Sequence, residues 1–183
     1  QAAIFVMLIS SAVVYPRLLL EVATVAPGFT SGAAIPLGVM TFLLSCLAAF
    51  FWFRGKKQQR AMPVHSNPTE LKPALIFGFL YAVVTLLVAA TRARLGTGSL
   101  YLVAGISGLA EVDALTLSTA RLVDAGRLAS EEGWRIILTA TMSNLGLKAL
   151  LTGLLGNRSV FYAILWTYGI AILCGISMIV WFR

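Results

Sequence analysis

Glu111 and Asp113 stand two residues apart in "GISGLAEVDALTLSTARL" (Gly105–Leu122), near the middle of an apolar stretch. An ionised carboxylate at that depth of a bilayer costs roughly 2.5–3.5 kcal/mol on insertion scales. Two of them require a basic partner, a proton, water or a cation. Oxygen ligands suit hard cations: Mg²⁺ takes one or two carboxylates and keeps several waters, and Na⁺ or protons fit the same groups. Ser107, Thr116, Ser118 and Thr119 add hydroxyl oxygens within about two helical turns. This stretch and the next apolar one contain no His or Cys, which disfavours Zn²⁺ and copper. In the next stretch, run antiparallel, Asn144 falls near the depth of the acids and Lys148 about one turn, or roughly 6 Å, further outward. The flexible Lys148 stem is expected to reach back towards Glu111. The expected ion- or proton-handling set is therefore Glu111, Asp113, Asn144 and Lys148, supported by Ser107, Gly108, Thr116, Ser118, Arg17 and Glu21. Glu111 and Asp113 are the candidate metal ligands, with Mg²⁺ or Na⁺ as candidate bound ions.

Helical geometry complicates this set. Residues two apart on an ideal helix are rotated by about 200°, so Glu111 shares a face with Ser107, Leu115 and Ser118 while Asp113 points elsewhere. Either the acids serve different partners or the helix is broken, and Gly105, Ser107 and Gly108 just before them favour a break. Broken midplane helices expose carbonyls that serve as ion ligands. A purely structural role competes: fixed ion pairs to Lys148 and Arg17 would assemble the bundle, at about 0.6 kcal/mol per polar contact on average. Arg17 and Glu21, four apart, can pair on one helix face. Ala104, Gly105, Gly108 and Ala110 suit close helix packing.

The elements that must position these groups follow from composition. The chain has 183 residues, 59% hydrophobic and only 11% charged, with mean hydropathy +0.90. Soluble domains carry about 25% charged residues. An all-α, polytopic transmembrane bundle is expected, forming one domain over residues 1–183 with about six spans of about 20 residues. The spans read as Ala2–Val25, Ala34–Phe53, Ala74–Ala90, Ser99–Leu122, Trp134–Leu155 and Val160–Phe182. Pro16 is a candidate kink in the first. The polar stretch from Arg54 to Lys72 reads as a loop, ended by "NPTELKP", where Asn67 or Thr69 caps a helix. With this loop in the cytoplasm, nine basic residues (Arg54, Lys56, Lys57, Arg60, Lys72, Arg121, Arg127, Arg135, Arg183) lie inside and three (Arg92, Arg94, Arg158) outside, as the positive-inside rule requires. Both ends are then expected in the cytoplasm of a bacterial inner membrane. The net charge of +7 follows from this topology rather than from nucleic-acid binding. Phe50–Phe53 and Trp181–Phe182 suit interfacial belts. Cys46 and Cys174 read as buried free thiols and His65 as a solvated loop residue. The first residue is Gln and no cleavable signal is evident, which suggests a fragment or processed product.

"SSAVVYPRLLLEVA" (Ser10–Ala23) aligns with "TMSNLGLKALLTGL" (Thr141–Leu154), placing Arg17 on Lys148 at an offset of 131. "FFWFR" (Phe50–Arg54) aligns with "IVWFR" (Ile179–Arg183) at an offset of 129. Spans one and two are thus expected to be duplicated in spans five and six. With two spans between them, both copies would cross in the same direction, as a parallel repeat.

At "NPTELKPALIFGFLYAVV", "LYLVAGISGLAEVDALTLSTARL" and "SNLGLKA" the chain resembles the integral-membrane domain of unknown function 4010, found at the C-terminal end of many MgtC/SapB-type bacterial proteins. That family's pattern is roughly S-G-L-A-D-V-D-A-x-T-L, followed on the next helix by N-T-x-V-K. Glu111 replaces the first Asp and keeps its charge. Asn144 and Lys148 match the later motif, with Leu145 and Leu147 in place of its Thr and Val. The resemblance implies a missing upstream half of the same protein, carrying a hydroxyl-rich counterpart of the acidic motif. It also links the chain, by association only, to magnesium or envelope physiology.

The expected function is a channel or secondary transporter for a cation or protons. Glu111 and Asp113 would handle the charge, Asn144 would orient them and Lys148 would act as an internal counter-ion. The alternative is a non-transporting module that regulates a partner membrane protein. No enzyme is expected: no Ser–His pair, metalloprotease motif or phosphate-binding loop occurs. The expected partners are the lipid bilayer, the missing upstream half and, in some assemblies, further copies in a homo-oligomer, but not nucleic acid.

Overall fold

The computed structural model describes residues 2–55 and 100–182, together with Leu75, Gly78, Phe79 and Ala82, which are helical. The expected third span, the polar loop after Gly55 and His65 otherwise lie outside the described residues. Six helices make up the rest: α1 (Ala2–Val25), α2 (Thr30–Gly55), α3 (Leu100–Ala110), α4 (Asp113–Asp124), α5 (Ser130–Leu155) and α6 (Arg158–Trp181). A single 3₁₀ turn, Pro27–Phe29, joins α1 to α2. Stretches 2–25, 27–54, 130–155 and 158–181 are each long and apolar enough to cross a membrane.

Each long helix buries one stripe and leaves the other faces apolar. On α1 the stripe is Ile4, Leu8, Ser11, Tyr15, Leu18 and Val22, the three-and-four spacing that keeps side chains on one face. On α2 it is Ala33, Leu37, Met40, Leu44 and Ala48. On α6 it is Ile164, Tyr168, Ala171, Gly175 and Met178. The outward faces carry Val6, Leu20, Phe42, Trp166 and Leu173, all exposed. Soluble proteins rarely leave contiguous apolar surface of this extent open, whereas lipid is its natural solvent. α1 runs through Pro16 without interruption, as membrane helices tolerate.

Specific contacts fix the direction of every helix. Met7 meets Thr152 (3.9 Å) and Ser11 meets Lys148 (3.2 Å), so α1 and α5 are antiparallel. Phe5 stacks near Trp52 at 4.9 Å between ring centroids. These contacts gather Ala2, Gly55, Leu155 and Arg158 at one end of the bundle, here the near end. At the far end a methyl group on Gly133 would meet the Phe29 ring at 2.9 Å and Val123 at 2.8 Å. Arg135 there donates to the Phe182 carbonyl (2.8 Å).

This arrangement corrects two expectations. α1 starts at the near end and α6 finishes at the far end, so the two ends of the described chain do not share a side. Arg121, Arg127 and Arg135 accordingly lie opposite Arg54, while Arg158 lies with it. The helix pairs α1–α2 and α5–α6 also run in opposite senses, so any correspondence between them is an inverted repeat, not a parallel one.

Candidate functional site

The fourth expected span is two helices. α3 stops at Ala110, Glu111 and Val112 are non-helical, and α4 begins at Asp113. The Glu111 amide still bonds the Ser107 carbonyl at 2.9 Å, so the interruption starts immediately after it. α5 supports the break from the side. The Ser143 hydroxyl donates to the Gly105 carbonyl, and the Asn144 amide to the Gly108 carbonyl at 3.2 Å. Those donors reach the backbone because the helices touch: a methyl group on Gly108 would lie 2.3 Å from the Ala140 carbonyl oxygen. Beyond the break, the Thr116 hydroxyl donates to the Val112 carbonyl at 3.0 Å.

The two acids face different surroundings. Asp113 accepts a short charge-assisted hydrogen bond from the Arg17 guanidinium, and Arg17 Nε lies 4.0 Å from Glu21. The pair is not sealed, since the side chains are 34% and 53% exposed respectively. Glu111 is exposed and has no ion pair among the described residues. It opens the face that continues through Ala114, Ser118 and Arg121, all exposed. That face borders an open recess of about 410 Å³ lined also by Leu117, Leu122 and Arg127. Gly126, at φ +67°, closes the turn beyond it in the left-handed conformation that glycine adopts without strain. One Glu21 oxygen is buried without a hydrogen-bond partner among the described residues.

Lys148 does not reach Glu111. Its ammonium donates to Ser11 Oγ at 3.2 Å. Ser11 Oγ lies 2.8 Å from the Tyr168 hydroxyl, which also donates to the Met7 carbonyl at 3.2 Å. Beside this chain is a small cavity of about 10 Å³, lined by Ser11, Tyr15, Val112, Thr141, Asn144 and Lys148 among others. The Tyr15 hydroxyl on its lining is buried beside the Thr141 side chain and has no well-formed hydrogen bond among the described residues.

The break thus gathers Asp113, Arg17 and Glu21 on one side, and Asn144, Lys148 and Ser11 on another, with Gly108 and Ser107 buried between helices. Glu111 and Ser118 face outward. No group of three or more His, Cys, Asp or Glu gathers among the described residues, and of the two candidate ligands Asp113 is engaged by Arg17. Sequence reasoning missed Ser11, Tyr15, Thr141, Ser143 and Tyr168. A signal existed for two of them: Ser11 and Tyr15 are polar groups on the buried stripe of an apolar helix.

A family model described as "Domain of unknown function (DUF4010)" matches residues 1–156. The chain belongs to the DUF4010 family. An uncharacterized protein of Aquifex aeolicus (strain VF5) is 31% identical over 105 residues, covering 56% of this chain and 45% of that protein. The chain thus matches under half the length of this curated relative. No solved structure matches. In this DUF4010 member the matched region includes the broken span with Glu111 and Asp113, and Asn144, whose amide bonds the backbone beside the break.

Proposed function

We propose that this DUF4010 chain forms part of a membrane transport protein that moves a small cation or protons past the interrupted span, with Glu111 and Asp113 as the charge-handling groups. One observation carries the reading: the helix breaks between two acids, one accessible and unpaired among the described residues, the other half-exposed on Arg17. Ionisable residues in a span face a cavity or the bundle interior and mark ion or proton pathways. Broken spans are a recurrent device for such sites. Open recesses of about 410 and 490 Å³ border α4 near the far end and α1, α5 and α6 near the near end. The reading is of a transport protein rather than an enzyme. It places the near end, with Arg54, Arg158 and the basic run following Gly55 in sequence, at the cytoplasmic face of an inner membrane by the positive-inside rule.

The test is ion flux in vesicles reconstituted with the intact protein. Glu111→Gln with Asp113→Asn should abolish flux while the protein remains folded. Unchanged flux in that double variant removes both acids from the pathway. A second reading draws on the Arg17–Asp113 pair itself: the acid would only assemble a module that regulates a partner. Under it, the exchanged variant Arg17→Asp with Asp113→Arg restores stability, and wild-type vesicles show no flux.

A further inference from the structure

Lys148 lines both the small cavity of about 10 Å³ beside the break and the open recess of about 490 Å³ near the near end. No other described residue belongs to both linings. The inner cavity has about the volume that one water molecule needs. Its polar groups (Ser11, Tyr15, Thr141, Asn144 and Lys148) come from α1 and α5. The Tyr15 hydroxyl belongs to a lining residue, is buried and lacks a well-formed hydrogen bond among the described residues, which a bridging water would supply. The outer recess is otherwise lined mainly by apolar side chains, including Ala3, Met7, Leu151, Leu155 and Val160.

We propose that the transported species is the proton, and that the Lys148 amine carries it between a single water in the inner cavity and water in the outer recess. This rests on the transport reading above and narrows its substrate class. Three observations support it. A cavity one water wide leaves no room for the six or more oxygen ligands, several of them waters, that Mg²⁺ or Ca²⁺ requires. No carboxylate among the described residues lines either cavity, so no fixed acid holds the amine in one form. A neutral amine takes up a proton as an N–H bond, and the ammonium so formed repels a metal cation. The charged groups elsewhere in the break are Glu111, Asp113, Arg17 and Glu21. The groups facing Lys148 itself are Ser11 of α1 and, through it, Tyr168 of α6, with the Arg17 guanidinium of α1 near enough to repel its ammonium.

The transfer balances in two steps. Hydronium in the inner cavity gives its proton to the neutral amine, forming one N–H bond, breaking one O–H bond and leaving water and an ammonium. The ammonium then releases a proton to water in the outer recess, restoring the amine. The Ser11–Tyr168–Met7 chain holds the nitrogen between the two positions.

The deciding variant is Lys148→Arg, which keeps the positive charge but cannot release a proton in a protein. In vesicles holding the intact protein, a pH-sensitive dye and an imposed potential, wild type should carry protons and slow in D₂O. Lys148→Arg should lower that flux by about 100-fold, the scale of a positioned acid–base group, with its melting temperature preserved. Tyr15→Phe, which removes a water ligand without touching charge, should lower it less. Full proton flux in Lys148→Arg overturns the relay. If Glu111→Gln with Asp113→Asn still abolishes that flux, the transport reading survives alone. Movement of Na⁺ or Mg²⁺ without protons overturns the choice of substrate and also leaves transport standing. Wild-type vesicles that move no ion overturn both.

Discussion

Arg17 and Asp113 connect α1 to the start of α4, and their partial exposure limits what the contact is worth. Interhelical polar contacts in membranes average about 0.6 kcal/mol. A double-mutant cycle with Arg17→Gln and Asp113→Asn, read by thermal unfolding in detergent, should return a coupling near that value. Strictly additive losses would show that the contact adds nothing to stability. Ser11 is the more costly loss. It links Lys148 to Tyr168 inside the bundle, so Ser11→Ala leaves a half-buried cation and a buried hydroxyl each short of a partner. The expected cost is about 1–3 kcal/mol, measured by the same unfolding assay; a neutral result would mean that other groups already satisfy both. The sequence made Arg17 and Lys148 visible as charges within spans but did not show that Arg17 meets Asp113 while Lys148 meets Ser11. That depends on the rotation of α1 and α5 about their axes, which is set by packing between Ser11, Tyr15 and Tyr168 across two other helices. A lysine stem drawn towards Ser11 cannot be read from the spacing of Asn144 and Lys148.

At the scale of elements, the small residues before the break set how α3 meets α5. Gly108 packs against the Ala140 backbone, whereas a methyl group on Gly105 would meet nothing within 4 Å. Gly108→Ala should therefore force the helices apart, cost about 1–3 kcal/mol as overpacking does and strain the Asn144 bond to the Gly108 carbonyl. Gly105→Ala should be neutral or stabilising by up to about 1 kcal/mol, because alanine favours helix. Comparison of the two melting temperatures checks the register directly, and equal shifts would contradict it. The long spans were legible because runs of about 20 apolar residues have few other fates. The first was read to the residue, and the second, fifth and sixth to within four residues at either end. The break was legible too, from Gly105, Ser107 and Gly108 beside two acids that no straight helix could turn the same way. Its outcome was not: even interrupted, the span leaves Glu111 outward and turns Asp113 to Arg17. Local sequence marks where a helix weakens, while the side chains of α1 and α5 decide which way each acid points.

For the whole molecule, direction matters more than the number of spans. Counting apolar runs, one crossing each, put both termini on one side, and the described contacts place the ends of α1 and α6 opposite each other. α2 returns to the near end at Gly55. α3 also starts there, because Gly105 and Gly108 meet Ser143 and Asn144 on the antiparallel α5. The pair α1–α2 then faces α5–α6 in the opposite sense. Their aligned cations fall on opposite sides of the break: Arg17 lies towards the far end on Asp113, and Lys148 towards the near end on Ser11. Inverted repeats with a site at a broken helix between them are a known basis for alternating access, in which one half rocks against the other. Labelling can decide the topology. With Cys46 and Cys174 replaced by serine, single cysteines at Ala3 and at Phe182 should react with a membrane-impermeant thiol reagent from opposite faces of sealed vesicles. Reaction of both from one face would restore the parallel arrangement and remove the inverted relation between Arg17 and Lys148. Reaction from opposite faces would make each cation the guard of one side of the same break, so that losing Arg17 and losing Lys148 should impair opposite half-cycles of transport.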